Sequence, residues 1–98
     1  MTLIALDAMG GDHAPAEPVA GAVKAAEAGV EVVLVGDEEE IKPHLDRLGA
    51  SLPIVHAPEV IGMRDDPARA IREKPNASVS IAARMVKSGE AAGFLSAG

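Results

Sequence analysis

Two short apolar runs constrain the fold of this chain more than any other feature of its sequence. Residues 3–6 are uninterrupted Leu-Ile-Ala-Leu followed by Asp7. Residues 30–35 are apolar except for Glu31, are rich in β-branched side chains and stop at Gly36. Apolar runs of this length, each closed by a polar or glycine residue, are typical of strands buried on both faces of a parallel sheet. The sequence therefore predicts a sheet that needs a covering layer on each side.

Helical periodicity separates these predicted strands. The first helix begins near Pro18 and ends before Gly29. Its apolar face has the i, i+3, i+4, i+7 spacing of a helix and consists of Val19, Ala22, Val23 and Ala26. A second helix is predicted after Asp37, which together with Glu40 forms the pattern of a capping box. Pro43 lies inside this helix and predicts either a bend or a late start.

The remaining elements continue the alternation. A third strand is predicted at residues 54–56, a brief helix starts at Asp66 and Pro67, and a last strand covers residues 93–96. Before that strand, a helix capped by Asn76 or Ser78 is predicted to bury Val79, Ala82, Ala83 and Val86 and to expose Ser80, Arg84 and Lys87. Strands and helices that alternate in this way indicate an α/β fold with three layers, α/β/α, around a mostly parallel sheet.

The last predicted strand runs into Ser-Ala-Gly without the helix that should follow it. A parallel sheet needs helices on its faces, so an uncovered strand is unusual. We therefore expect residues 1–98 to be the N-terminal part of a single larger α/β domain.

Composition excludes several classes of function. The chain has no cysteine, so disulfides and zinc sites with cysteine ligands are impossible within it. Its net charge is −6, and its first 50 residues hold ten acidic side chains against three basic ones, which disfavours binding to nucleic acid or to anionic lipid. No apolar run approaches the roughly 20 residues of a membrane span. The sequence favours a cytoplasmic protein.

The segment with the most chemical content is the loop after the first strand. In an open α/β sheet, ligands bind at the carboxyl ends of the strands, where Gly10 and Gly11 let the backbone approach an anion closely. The alternative is that the two glycines only form a turn. His13 is a candidate general acid/base or a donor to phosphate, or a loop residue that only satisfies backbone groups. Asp7 and Asp12 are candidates for holding a metal or orienting His13, although aspartate is also ordinary at strand ends.

Ser96, Ala97 and Gly98 follow the last strand and should lie at the same edge of the sheet. Two loops of small residues are then expected to meet at one pocket. Ser96 is interpreted as a donor to an anion rather than a nucleophile, because the Gly-x-Ser-x-Gly setting is missing. The loop after the first strand also lacks the dinucleotide-binding and P-loop patterns, and no metal site is predicted.

Residues 4–15, Ile-Ala-Leu-Asp-Ala-Met-Gly-Gly-Asp-His-Ala-Pro, resemble the opening signature of the PlsX family. These are the acyl-acyl-carrier-protein:phosphate acyltransferases of bacterial phospholipid synthesis. Residues 33–38 are similar to the family's second strand and turn, and residues 59–74 to its stretch before the next helix. Residues 94–98 resemble the start of its Ser-Ala-Gly-Asn-Thr-Gly motif, whose second half falls beyond Gly98. The resemblance covers essentially the whole chain.

The resemblance implies a catalytic α/β/α domain like those of phosphotransacetylases and isocitrate dehydrogenases. It implies transfer of a fatty acyl group from acyl carrier protein to inorganic phosphate, with no cofactor. Phosphate or oxyanion contacts then fall to Gly10, Gly11, Ser96 and Gly98, with His13 and Asp12 as catalytic or polar support. The groove for the acyl chain is expected outside this segment. Family members are longer homodimers in the cytoplasm, which is compatible with peripheral association with the membrane through other segments.

Two other readings stay open at this stage. A phosphotransacetylase or an isopropylmalate-type dehydrogenase would share the architecture, and titration with NAD and a divalent metal separates these. A non-catalytic module that binds a carrier protein is the alternative from another class. It would bind holo carrier protein without forming acyl phosphate.

Overall fold

The computed structural model describes residues 2–11, 13–59 and 73–96, which build a parallel four-stranded sheet. The strands are β1 (Leu3–Asp7), β2 (Glu31–Gly36), β3 (Ile54–His56) and β4 (Gly93–Leu95). Their order is β3-β2-β1-β4, and β1 pairs in parallel with both of its neighbours. The chain therefore leaves β1 toward one side and returns at β4 on the other. This reversal of strand order makes the carboxyl ends of β1 and β4 a topological switch point.

Helices cover both faces of the sheet, as the buried strands predicted. They are α1 (Ala16–Glu27), α2 (Glu38–Leu48) and α3 (Ser78–Lys87). The core under α1 and α2 consists of Ala8, Val19, Ala22, Val23, Val32, Leu34, Ile41 and Leu45. The core under α3 consists of Ala5, Val33, Val35, Ala57, Ala82, Met85 and Ala91. The three-layer α/β/α prediction is confirmed for the part of the chain that the structure describes.

The ends of the first two helices follow local signals. Gly29 and Gly49, just past the two helices, have φ of +95° and +64°, which is the left-handed region that glycine adopts without strain. Asp37 caps α2, but its side chain accepts from the amide of Glu39 at 3.0 Å, one residue earlier than a capping box requires. The late start predicted from Pro43 is wrong, since α2 begins at Glu38 and continues through the proline.

Helix α3 departs from its prediction in two ways. The N-cap is Ala77, with no side-chain cap, so the expected caps Asn76 and Ser78 are both wrong. Ser80, placed on the solvent face by periodicity, is buried along with Ser78. The hydroxyl of Ser78 donates to the carboxylate of Asp7, whereas no hydrogen bond among the described residues accounts for the burial of Ser80. The brief helix expected at Asp66 and Pro67 lies outside the described residues.

None of the helices in the described ranges is long and apolar enough to cross a membrane.

Candidate functional site

A cavity of about 440 Å³ opens at the carboxyl ends of β1 and β4. Its wall combines the loop after β1, the start of α1 and the end of β4, and consists of Leu6, Asp7, Gly10, Gly11, His13, Glu17, Pro18, Leu95 and Ser96. The prediction that the two small-residue loops meet at one pocket is therefore confirmed. Of the predicted site residues, Gly10, Gly11, His13 and Ser96 lie together, whereas Asp12 and Gly98 fall outside the described residues.

Asp7 is the last residue of β1 and is 4% exposed. Its Oδ1 accepts the Met9 amide at 3.0 Å and the hydroxyl of Ser78, and its Oδ2 accepts the hydroxyl of Ser96 at 2.8 Å. The carboxylate thus links the β1 loop, α3 and the end of β4. None of these donors is His13, so the interpretation of Asp7 as the group that orients His13 finds no contact in the structure.

Ser96 follows β4 and lies on the wall of the cavity. Its hydroxyl is the donor in the bond to Asp7, because a carboxylate can only accept. The sequence interpretation gave this hydrogen to a bound anion. In the structure the Ser96 hydroxyl donates to Asp7 Oδ2.

The two glycines of the β1 loop border the cavity. Gly11 has φ of +93°, which bends the chain as a glycine-specific turn. Among the described residues, the amides of Gly10 and Gly11 donate to no protein acceptor. Consecutive free amides at such a turn are the geometry of an anion-binding nest. These amides are the strongest candidates on the described wall for binding an anion.

The charge around the cavity is unusual for an anion site. Asp7 and Glu17 contribute carboxylates, His13 contributes an imidazole, and the described part of the wall contains no Lys or Arg. The positive end of the α1 dipole lies at the cavity, since Glu17 and Pro18 belong to the first turn of α1. Within the described ranges, no three His, Asp or Glu side chains come together as a group that could hold a metal. Binding of an anion at this cavity would therefore depend on backbone amides and on the positive end of the α1 dipole.

An apolar groove of about 420 Å³ adjoins this cavity. It shares Leu6, Pro18 and Leu95 with the cavity and continues between α1 and the sheet along Ile4, Gly21, Ala22, Ala25, Val30 and Val32. The expectation that apolar groove walls lie elsewhere overlooked this surface. The sequence pattern that could have indicated this groove is the alternation of side chains along a strand. It puts Ile4 and Leu6 on one face of β1, opposite small residues of α1.

Ser78 and Glu17 also escaped the sequence analysis. Glu17 was not singled out from the sequence, and Ser78 was predicted only as a helix cap. Only the pairing of Ser78 with Asp7, 71 residues away, shows that this serine belongs to the site. No local pattern could have revealed that contact.

Comparison with known proteins identifies the family. Residues 2–98 match the family described as "Fatty acid synthesis protein". A phosphate acyltransferase of Desulforamulus reducens is 54% identical over 101 residues, covering 100% of this chain and 30% of that protein. One of Thermus thermophilus is 53% identical over 95 residues, covering 97% and 29%, and one of Herpetosiphon aurantiacus is 52% identical over 99 residues, covering 97% and 27%. The chain thus spans less than a third of the length of these relatives. It belongs to the fatty acid synthesis protein family.

Proposed function

We propose that this chain forms part of an enzyme that transfers a fatty acyl group from acyl carrier protein to inorganic phosphate. The family membership and the phosphate acyltransferase names of its relatives support the reaction type. The acyl-carrier-protein donor follows from the resemblance of residues 4–15 to the PlsX signature. The product would be an acyl phosphate for phospholipid synthesis, made by a cytoplasmic homodimer that associates with the membrane peripherally.

The observation that carries the proposal is that the amides of Gly10 and Gly11, beside a cavity at the switch point, donate to no acceptor within the described ranges. In the reaction, a phosphate oxygen attacks the thioester carbonyl, a tetrahedral oxyanion forms, and the carbonyl returns as the carrier's thiolate leaves. Preorganised N–H donors stabilise both the bound phosphate and that oxyanion. Because thiolate is a good leaving group, direct attack needs no covalent enzyme nucleophile, so the absence of cysteine from these 98 residues is no objection to it.

We assign supporting roles to the remaining site residues. His13 is exposed at the mouth of the cavity and serves as a polar or proton-donating support. Asp12 and Gly98 are included in the proposed site because they belong to the two resembling motifs. The adjoining apolar groove supports the proposal as well, since an acyl thioester needs an apolar surface beside the polar site of attack.

The test compares two glycines that have nearly the same positive φ. Gly11 and Gly29 have φ of +93° and +95°, so alanine strains the backbone similarly at both, but only Gly11 borders the cavity. In the full-length protein, Gly11→Ala is expected to lower kcat/KM for phosphate at least about tenfold, equivalent to about 1.4 kcal/mol. Gly29→Ala is expected to leave it unchanged. The measurement is the rate of acyl phosphate formation from acyl carrier protein at varied phosphate concentration.

The control for folding is the Tm of both variants, which should fall by similar amounts because the strain is the same. If Gly11→Ala has the kinetics of Gly29→Ala at comparable Tm, the glycine loop does not bind phosphate and the proposed site is wrong.

A further inference from the structure

Asp7 is the only buried ionisable side chain among the described residues, and it lies on the wall of the cavity. Burying a carboxylate is costly unless it is hydrogen-bonded, so a buried carboxylate beside a proposed anion site calls for a physical reason. A purely structural carboxylate would weaken phosphate binding by repulsion. A carboxylate that accepts a hydrogen from the ligand would strengthen it.

The hydrogen bonds of Asp7 leave it able to accept one more hydrogen. A carboxylate has about four acceptor positions, two on each oxygen. Oδ1 uses both of its positions, on the Met9 amide and the Ser78 hydroxyl. Oδ2 uses one, on the Ser96 hydroxyl. The one remaining acceptor position is on Oδ2, the oxygen that accepts from Ser96 of the cavity wall.

The surroundings of Asp7 determine which ligand oxygens it attracts: those that carry a hydrogen rather than those that are fully ionised. No Lys or Arg lies on the described wall to separate Asp7 from a bound anion, and Glu17 adds a second carboxylate at the cavity. A fully ionised ligand oxygen near Oδ2 would meet only repulsion. A ligand oxygen that carries hydrogen would instead donate a charge-assisted bond, which is among the stronger hydrogen bonds in proteins.

We propose that Asp7 is a specificity-determining residue, whose Oδ2 accepts a hydrogen from the bound oxyanion. The cavity then takes hydrogen phosphate and rejects sulfate, which has nearly the same shape but carries no hydrogen at neutral pH. This inference rests on the proposed function, because it assumes that the cavity binds phosphate. Sites that read a hydrogen in this way reject the analogue that lacks it strongly, because a ligand oxygen without hydrogen then faces the carboxylate with no bond to offset the repulsion.

The first experiment ranks three anions as ligands of the full-length wild-type protein by calorimetry and by their effect on acyl phosphate formation. Phosphate and arsenate both carry hydrogen, and sulfate does not, while arsenate is the largest of the three. We expect phosphate and arsenate to bind within about tenfold of each other and sulfate at least about a hundredfold more weakly. If sulfate binds as well as phosphate, the role of Asp7 is overturned while the proposed function survives. If none of the anions binds, the proposed function itself fails.

The second experiment tests whether Asp7 causes the preference for phosphate over sulfate. Asp7→Asn keeps the shape but presents a neutral amide that can donate. The affinity for sulfate should therefore rise until its Kd lies within about tenfold of the Kd for phosphate. Glu17→Gln is the matched control, since it neutralises the exposed carboxylate of the same cavity and should keep the full preference for phosphate. Unchanged discrimination in Asp7→Asn overturns the proposal. If Asp7→Asn does not fold, Glu17→Gln still decides, because loss of the preference there assigns it to Glu17 instead.

Discussion

At the scale of single residues, α3 contains a natural comparison in its two buried serines. Ser78 and Ser80 are both 2% exposed, but the Ser78 hydroxyl bonds Asp7 whereas the Ser80 hydroxyl has no partner among the described residues. Ser78→Ala should destabilise the protein by about 1.5–3 kcal/mol, because it removes a donor from a buried carboxylate. Ser80→Ala should be neutral or stabilising, since it removes a buried hydroxyl that makes no bond.

Urea unfolding of the two variants measures this difference. Each is its partner's control, because both replace serine by alanine on one helix at equal burial and gain the same helix propensity. Equal losses of unfolding free energy would contradict the assignment of Ser78 to Asp7.

At the scale of elements, the end of β2 depends on the absence of a side chain at Gly36. A Cβ built there would lie 2.7 Å from Met9 Cγ and 2.9 Å from Ile41 Cδ1. Ile41 is fully buried, so it has little room to move. Gly36→Ala is expected to destabilise the fold by about 1–3 kcal/mol through overpacking, measured by chemical unfolding.

Gly21 provides the opposite case and the control for this prediction. It lies inside α1, and a Cβ there would meet nothing within 4 Å. Gly21→Ala should therefore stabilise the helix by about 0.5–1 kcal/mol. If the two alanine variants have the same free energy of unfolding relative to wild type, overpacking against Met9 and Ile41 does not explain why residue 36 is glycine.

Elements governed by local signals could be predicted from the sequence. The strands follow from short apolar runs, and the ends of α1 and α2 from glycines that tolerate a positive φ. The buried face of α3 could not, because the sequence pattern places the polar residue Ser80 on the solvent side, whereas packing in the fold buries it. Tertiary contacts override periodicity there.

The same division holds for the site. Gly10, Gly11, His13 and Ser96 could be predicted because a topological rule places the carboxyl ends of parallel strands together. The buried state of Asp7 could not be predicted, because it requires donors from two other segments of the chain, Ser78 and Ser96. What the sequence shows as a loop aspartate is therefore a buried junction of three elements.

At the scale of the whole molecule, the polar cavity and exposed apolar side chains lie at the same edge of the described sheet. Leu95, which borders both the cavity and the apolar groove, is 60% exposed, and Phe94 beside it is 40% exposed. Exposed apolar residues on an edge strand favour association with another surface. The polar cavity and the apolar groove therefore meet at β4.

The last prediction concerns the 98-residue chain expressed alone. It spans less than a third of its relatives' length, and its described cavity wall carries two carboxylates without a Lys or Arg. Attack by phosphate gathers negative charge in the transition state, which such a wall stabilises only through the amides of Gly10 and Gly11, the α1 dipole and His13. The isolated chain should therefore form no acyl phosphate from acyl carrier protein and phosphate, although circular dichroism should show its helices. Turnover at a rate comparable to that of the full-length protein would mean that the described wall already holds the complete site.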